Sequence, residues 1–156
     1  MTLSDLPASA PATAAPSVKV GDVFMGPSKT LTDVHFTMFS AVTNDVHPIH
    51  YDVEYARKTQ FGRPLAHGLL LNSLTALGAT SAVSKIHGFV LIEQSSKFLT
   101  PAMTGDTLQP QLTVERVWQE GSRTLCRIQT QLTNQRGEKV LEGFHVYRVL
   151  DRAEAQ

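Results

Sequence analysis

Along the C-terminal half of the chain, apolar and polar side chains alternate with period two, as in Leu108, Leu112 and Val114 or Cys126, Ile128, Thr130 and Leu132. Four such runs, 89–99, 107–118, 123–132 and 139–150, are rich in β-branched and aromatic residues and predict four strands. Turn residues stand between them at Thr104-Gly105-Asp106, Glu120-Gly121-Ser122 and Asn134-Gln135-Arg136-Gly137. Short turns between successive strands predict an antiparallel sheet.

The N-terminal half has a different rhythm. Residues 18–30 read as extended, with Gly26-Pro27 opposing helix. Thr32 has the character of an N-cap and Asp33 suits the first turn, while Val34, Met38, Phe39 and Val42 are spaced to make one apolar helical face. Pro48 lacks an N–H and drives His47 out of the helical region, so this helix is expected to end near Asp45 or Val46. A short second helix is expected from Asp52 to Arg57, and an irregular loop at Phe61-Gly62-Arg63-Pro64. From Gly68 to Val83 the chain is apolar or small on nearly every side. Without the charged face of a surface helix, this run predicts one buried helix of ~22 Å, at ~1.5 Å per residue, for the sheet to wrap. The fold class that follows is α+β, an antiparallel sheet around a central buried helix.

Composition narrows the function classes. A chain of 156 residues predicts one domain, read as residues 18–150 between flexible tails at 1–17 and 151–156. Fourteen basic residues balance fourteen acidic ones, which gives no electrostatic reason to expect nucleic acid or an anionic membrane surface. The apolar run after Leu65 is interrupted by His67, Asn72, Ser73 and several threonines, so no membrane span is expected. A lone Cys126 cannot form an internal disulfide, and residues 1–17 carry no signal-like apolar segment; a cytoplasmic location is the expectation.

Candidate chemistry concentrates in Asn44-Asp45-Val46-His47-Pro48-Ile49-His50-Tyr51-Asp52 and Leu65-Ala66-His67-Gly68. Asp45 at a helix end and His50 on the loop leaving it can converge on one point and divide acid and base roles near neutral pH. His47 and His50 also form a His-x-x-His pattern, but Pro48 prevents the helical alignment metal ligation would use, and no Cys or Glu cluster completes a ligand set. No metal is expected.

The two motifs, Asp45-x-x-Pro48-Ile49-His50-x-Asp52 and Tyr55-Ala56-x-x-Thr59-x-Phe61-Gly62-x-Pro64-Leu65-Ala66-His67-Gly68, resemble the MaoC-like family of (R)-specific enoyl-CoA hydratases and dehydratases, which have the hot-dog fold. The resemblance implies that Asp45 and His50 hold and activate water and that the Gly68 N–H binds the thioester carbonyl. It implies a homodimer or higher homo-oligomer acting on an acyl-CoA thioester, with coenzyme A arriving as part of the substrate and no other cofactor. His47, Phe61, Asn72 and Ser73 are the candidates to contact substrate. Arg57, Lys58 and Arg63 are candidates for the coenzyme A phosphates, and Phe36, Phe39, Leu70, Phe89 and Leu91 for the acyl channel. This chain departs from the family pattern at Asn44, His47 and Ala76, where members commonly have Gly, Asn and Ser.

Plainer roles compete at several positions. Asp45 could end a helix and His50 could bond to backbone, while Asn72 and Ser73 could be satisfied buried polar groups. His67 reads first as a structural hydrogen-bonding residue, and His35, His87 and His145 carry no motif. Two other functions fit the same fold: an acyl-CoA thioesterase, opposed by the lack of Asp or Glu between Gly68 and Val83, and a non-catalytic acyl-thioester-binding subunit.

Overall fold

A computed structural model describes residues 18–84, 86 and 88–150; the expected tails at 1–17 and 151–156, and His87, lie outside the described residues. Two short strands, β1 (Val23–Met25) and β2 (Lys29–Thr30), replace the single extended run and both pair with β4 (Thr107–Glu120). The remaining strands are β3 (Gly88–Phe98), β5 (Arg123–Asn134) and β6 (Lys139–Leu150). Their bounds lie close to those the alternation predicts. Their order does not follow the chain: the six-stranded antiparallel sheet runs β1-β4-β5-β6-β3, with β2 beside β4. The turn at residues 104–106 therefore closes no hairpin, and β3 crosses to the far edge to pair with β6. Register shifts at Leu91/Glu93, Val114/Arg116 and Leu132/Thr133 mark the irregularities at which strands bend.

Helix α1 (Asp33–Thr43) starts where Thr32 predicts, and His35 Nδ1 accepts the Thr32 N–H at 3.0 Å. It ends at Asn44, a residue or two early. The buried face is largely not the predicted one: Phe36 and Ser40 point inward and Phe39, of the predicted face, packs half-buried beside them, while Val34, Met38 and Val42 are exposed. Both stripes repeat every four residues, and spacing alone cannot say which of them the sheet will cover. Helix α2 (Val53–Arg57) is capped by Asp52, whose carboxylate accepts the Tyr55 N–H at 2.9 Å.

The expected long central helix is broken. Helix α3 spans only Gly68–Ser73, and the chain continues as 3-10 turns at Leu77–Ala79 and Ser81–Ser84. Residues on β6 stitch the break. Thr75 Oγ1 donates to Asn72 O at 2.7 Å and lies 3.4 Å from His145 Nε2, and His145 Nδ1 is 3.0 Å from the Tyr147 hydroxyl. Because the Thr75 hydroxyl donates to Asn72 O, it accepts from His145 Nε2, and these contacts form one directional chain from the Tyr147 hydroxyl through neutral His145 and Thr75 to the Asn72 carbonyl. It provides partners at a helix end that would otherwise leave buried polar groups unpaired. Two apolar clusters flank the break. Leu70 and Leu71 pack with Leu31, Phe36, Leu108 and Leu141, and Leu77 and Ala82 with Phe24, Leu112, Ile128 and Tyr147.

Candidate active site

Asp45, His50 and Gly68 are delivered by three local devices. Asn44 ends α1 in the left-handed conformation (φ 60°, ψ 16°), which turns the chain so that Asp45 leaves the helix. Asn tolerates this conformation better than other residues with a side chain. It therefore takes the left-handed helix-ending place that glycine most often fills. The 3-10 turn Pro48–His50 follows, with His47 as its N-cap: Nδ1 accepts the Ile49 N–H at 3.3 Å, as an Asn side-chain oxygen could. Asn44 and His47 thus each have a definite role in the local backbone, as the left-handed residue that ends α1 and as the cap of the turn.

The segment at 65–66 then ties the loop down. The Leu65 N–H donates to Ile49 O at 3.0 Å, and the Ala66 N–H to Ala102 O at 2.8 Å. His50 Nδ1 lies 2.7 Å from Leu65 O, and because a carbonyl only accepts, Nδ1 carries the proton and Nε2 is left for chemistry. One Asp45 carboxylate oxygen, one His50 nitrogen and one His67 nitrogen lie within 4.8 Å of one another. Asp45 is exposed, His50 half-buried and His67 buried.

His67, the N-cap of α3, has the structural hydrogen-bonding place expected of it at the entrance to the helix. Its ring stacks on His50 with centroids 3.7 Å apart and planes 21° from parallel. Its Nε2 lies 3.1 Å from Ser40 Oγ and 3.2 Å from the Asp45 carbonyl. Desolvation by burial holds its pKa below the ordinary histidine value, opposed by the bond to Asp45 O. Ser40 had a signal in the sequence, a polar residue four after Phe36, but its partner lies 27 positions away.

The Asp-His-His donor set has the composition of a metal centre, but its geometry argues against one. An ion in the plane of one stacked ring would stand well out of the plane of the other, whereas imidazole binds zinc in its plane at ~2.0–2.1 Å.

Gly68 opens α3, so its N–H has no partner inside the helix. With α3 only six residues long, the dipole support expected from a long helix is reduced. Gly68 and Phe61 share the wall of a cavity of about 290 Å³ with Leu65, Leu71, Phe98 and Pro101, among others. The expected channel residues Phe36, Phe39, Leu70, Phe89 and Leu91 do not line it. Asn72 Oδ1 accepts from Gln94 Nε2 at 3.0 Å and Ser96 Oγ at 2.8 Å, anchoring α3 to β3. The Ser73 hydroxyl donates to Leu70 O at 2.6 Å. His47 meets His50 and Tyr55 edge-on, at 6.3 and 5.7 Å. Arg57 pairs with Glu54, and Arg63 lies 3.7 Å from buried Asp106.

Comparison with known proteins settles the family, since the model of the MaoC-like domain matches residues 17–136. The chain belongs to the MaoC-like domain family. It is 30% identical over 124 residues to an (R)-specific enoyl-CoA hydratase of Rhodospirillum rubrum, covering 74% of this chain and 78% of that one. To the (R)-specific enoyl-CoA hydratase of Aeromonas caviae it is 27% identical over 122 residues, covering 78% and 89%. The solved (R)-hydratase of A. caviae superposes with a TM-score of 0.77 at 28% identity, covering 87% of this chain and all of that one. The fold of this MaoC-like protein is the hot-dog fold, and its family is one of hydratases and dehydratases.

Proposed function

We propose that this MaoC-like protein catalyses the reversible hydration of a trans-2-enoyl-CoA to an (R)-3-hydroxyacyl-CoA. The observation that carries this reading is the convergence of the Asp45 carboxylate and the His50 ring, with ligand atoms within 4.8 Å, in a chain whose Gly68, at the start of α3, lines an apolar cavity. The choice of coenzyme A thioester and of the (R) product rests on the relatives named above.

In the hydration direction, a water held between Asp45 and His50 loses a proton to the pair as its oxygen bonds to C3. The C2–C3 double-bond electrons move toward the thioester carbonyl, whose oxygen takes up enolate charge and is held by the Gly68 N–H. A proton from the pair then forms the C2–H bond, so the sum is one water added. His50 is suited to transfer protons at Nε2 because Leu65 O holds the Nδ1 proton. The two groups act as a coupled pair, and such acid–base catalysis contributes ~10²–10⁴-fold. An oxyanion donor adds ~10²–10³-fold. Phe61 is placed against the substrate because it shares the cavity wall with Gly68. His47, Asn72 and Ser73 do not line that cavity; Asn72 and Ser73 are engaged in hydrogen bonds to Gln94, Ser96 and Leu70, which favours the structural reading of both. No metal or redox group is required by this balance.

We infer a homodimer joined through β3. Among the described residues that strand pairs with β6 alone and is exposed along much of its length, leaving an open edge beside exposed Leu91, Ile92, Phe98 and Leu99.

The test is loss of enoyl-thioester absorbance on mixing purified protein with short- and medium-chain trans-2-enoyl-CoA, with His50→Ala alongside. Rapid loss that the variant reduces by ~10²-fold or more is the expected result. An unchanged rate in His50→Ala would remove the pair from the reaction, and release of free thiol without hydration would make the protein a thioesterase.

A further inference from the structure

His67 lies outside the proton transfers above, yet it touches both groups that perform them. Its Nε2 faces two oxygens, the Asp45 carbonyl at 3.2 Å and Ser40 Oγ at 3.1 Å. The carbonyl can only accept, so Nε2 carries the proton and Nδ1 is the bare nitrogen. That Nδ1 is buried without a hydrogen-bond partner. Protonating it would create a buried charge and a buried donor with no acceptor, and His67 therefore stays neutral while its neighbour changes charge.

The ring is also walled in. Phe39 and Phe36 lie at centroid distances of 5.0 and 6.1 Å, and His50 is stacked at 3.7 Å. At 1% exposure, His67 has little freedom to rotate. Everything that fixes it lies far away in sequence from its own helix: Ser40 and the two phenylalanines come from α1, and His50 from the turn after Pro48.

We propose that His67, seated on Ser40, is the positioning residue that sets Asp45 and His50 relative to each other. It holds Asp45 by its backbone carbonyl and His50 by its ring face. A neutral imidazole is suited to this place, because it offers an N–H along one edge and a π-face that can stack against His50 in either charge state. The Leu65 carbonyl completes the placement of His50 from its Nδ1 edge. The inference rests on the assignment of Asp45 and His50 to catalysis.

Three variants separate the two contacts. His67→Phe keeps a ring face and removes the N–H, His67→Gln keeps an N–H and removes the ring, and Ser40→Ala removes only the hydroxyl beneath. Each His67 variant is expected to lower kcat by ~10- to 100-fold with KM changed by less than about threefold, the signature of misplaced reacting groups. Ser40→Ala is expected to lose about fivefold, the worth of one hydrogen bond. In nitrogen NMR the His50 imidazole is expected to be held in the Nδ1–H form on the Leu65 carbonyl in the unaltered protein and in His67→Phe, and to show a mixture of tautomers in His67→Gln, where the stacked ring that keeps it there is gone. That change would not follow from a loss of fold stability alone. Folded His67 variants with unaltered kcat and an unaltered His50 tautomer would overturn the proposal. Should neither His67 variant fold, Ser40→Ala decides, and unaltered kcat and tautomer there would overturn it equally. If His50→Ala keeps full activity, the catalytic assignment fails instead, while the His50 tautomer still reports whether His67 places that ring.

Discussion

Replacing Gly68 by Ala separates what this residue does for the fold from what it does for the reaction. A Cβ built at Gly68 would stand 3.2, 3.4 and 3.5 Å from Cζ, Cε2 and Cε1 of Phe98. These contacts are tight by a few tenths of an ångström. Phe98 lines the cavity, and these contacts are with the far end of its ring, so the ring can give way into that space without moving backbone. Gly68 is not among the glycines with positive φ, and alanine suits its helical backbone. The propensity gain is at most about 1 kcal/mol and smaller in a first turn. Gain and crowding nearly cancel, and the expected change in stability is within about 1 kcal/mol, or ~2–4 °C in Tm. Activity should behave otherwise. The N–H is retained, but the new methyl occupies the wall over which the thioester carbonyl must approach it, and the expected loss in kcat/KM is ~10²–10³-fold. Thermal unfolding and enoyl-CoA hydration measured on one preparation check both halves. Full activity in Gly68→Ala would refute the role of Gly68, and a Tm lowered by ten degrees or more would refute the claim that Phe98 can yield.

Other consequences concern the frame around the site. Burial holds His67 and His145 below the ordinary histidine pKa of 6.5. The unfolded chain therefore takes up protons first as pH falls, so stability is full above about pH 6.5 and declines below it, by up to about 1.4 kcal/mol per pH unit per histidine. Urea unfolding at pH 8, 6 and 5 would show this decline, and equal midpoints would contradict it. Asn44→Gly should leave stability equal or slightly higher, whereas Asn44→Ala should cost about 1–2 kcal/mol because alanine resists the left-handed conformation; chemical denaturation tests both. A Cβ at Gly143 would lie 2.0 Å from Ser95 O and 2.9 Å from Ser96 Cα, both rigid backbone of β3. Gly143→Ala should force β3 from β6 at a cost of roughly 3 kcal/mol or more, visible as loss of the unfolding transition or of the oligomer in sedimentation.

The sequence by itself determined the elements whose cause is local. Alternation marked strands β3 to β6, since a half-buried strand must show one face to the core and one to water. Pro48 set the end of α1 to within a residue or two, Asp52 set the start of α2, and the paired motifs singled out Asp45 and His50, which the fold brings together. Tertiary structure alone decided which apolar stripe of α1 is covered, because a stripe of Val34, Met38 and Val42 and a stripe through Phe36 have the same spacing. It also decided where the central helix stops. Residues 68–83 contain no strong breaker at 74–76, and the break exists because His145 and Tyr147, some 70 residues on, supply the hydrogen bonds it requires. The placing of His67 between Ser40 and His50 belongs to the same class. Buried polar groups choose partners by proximity in space, and local sequence periodicity carries no record of that distance.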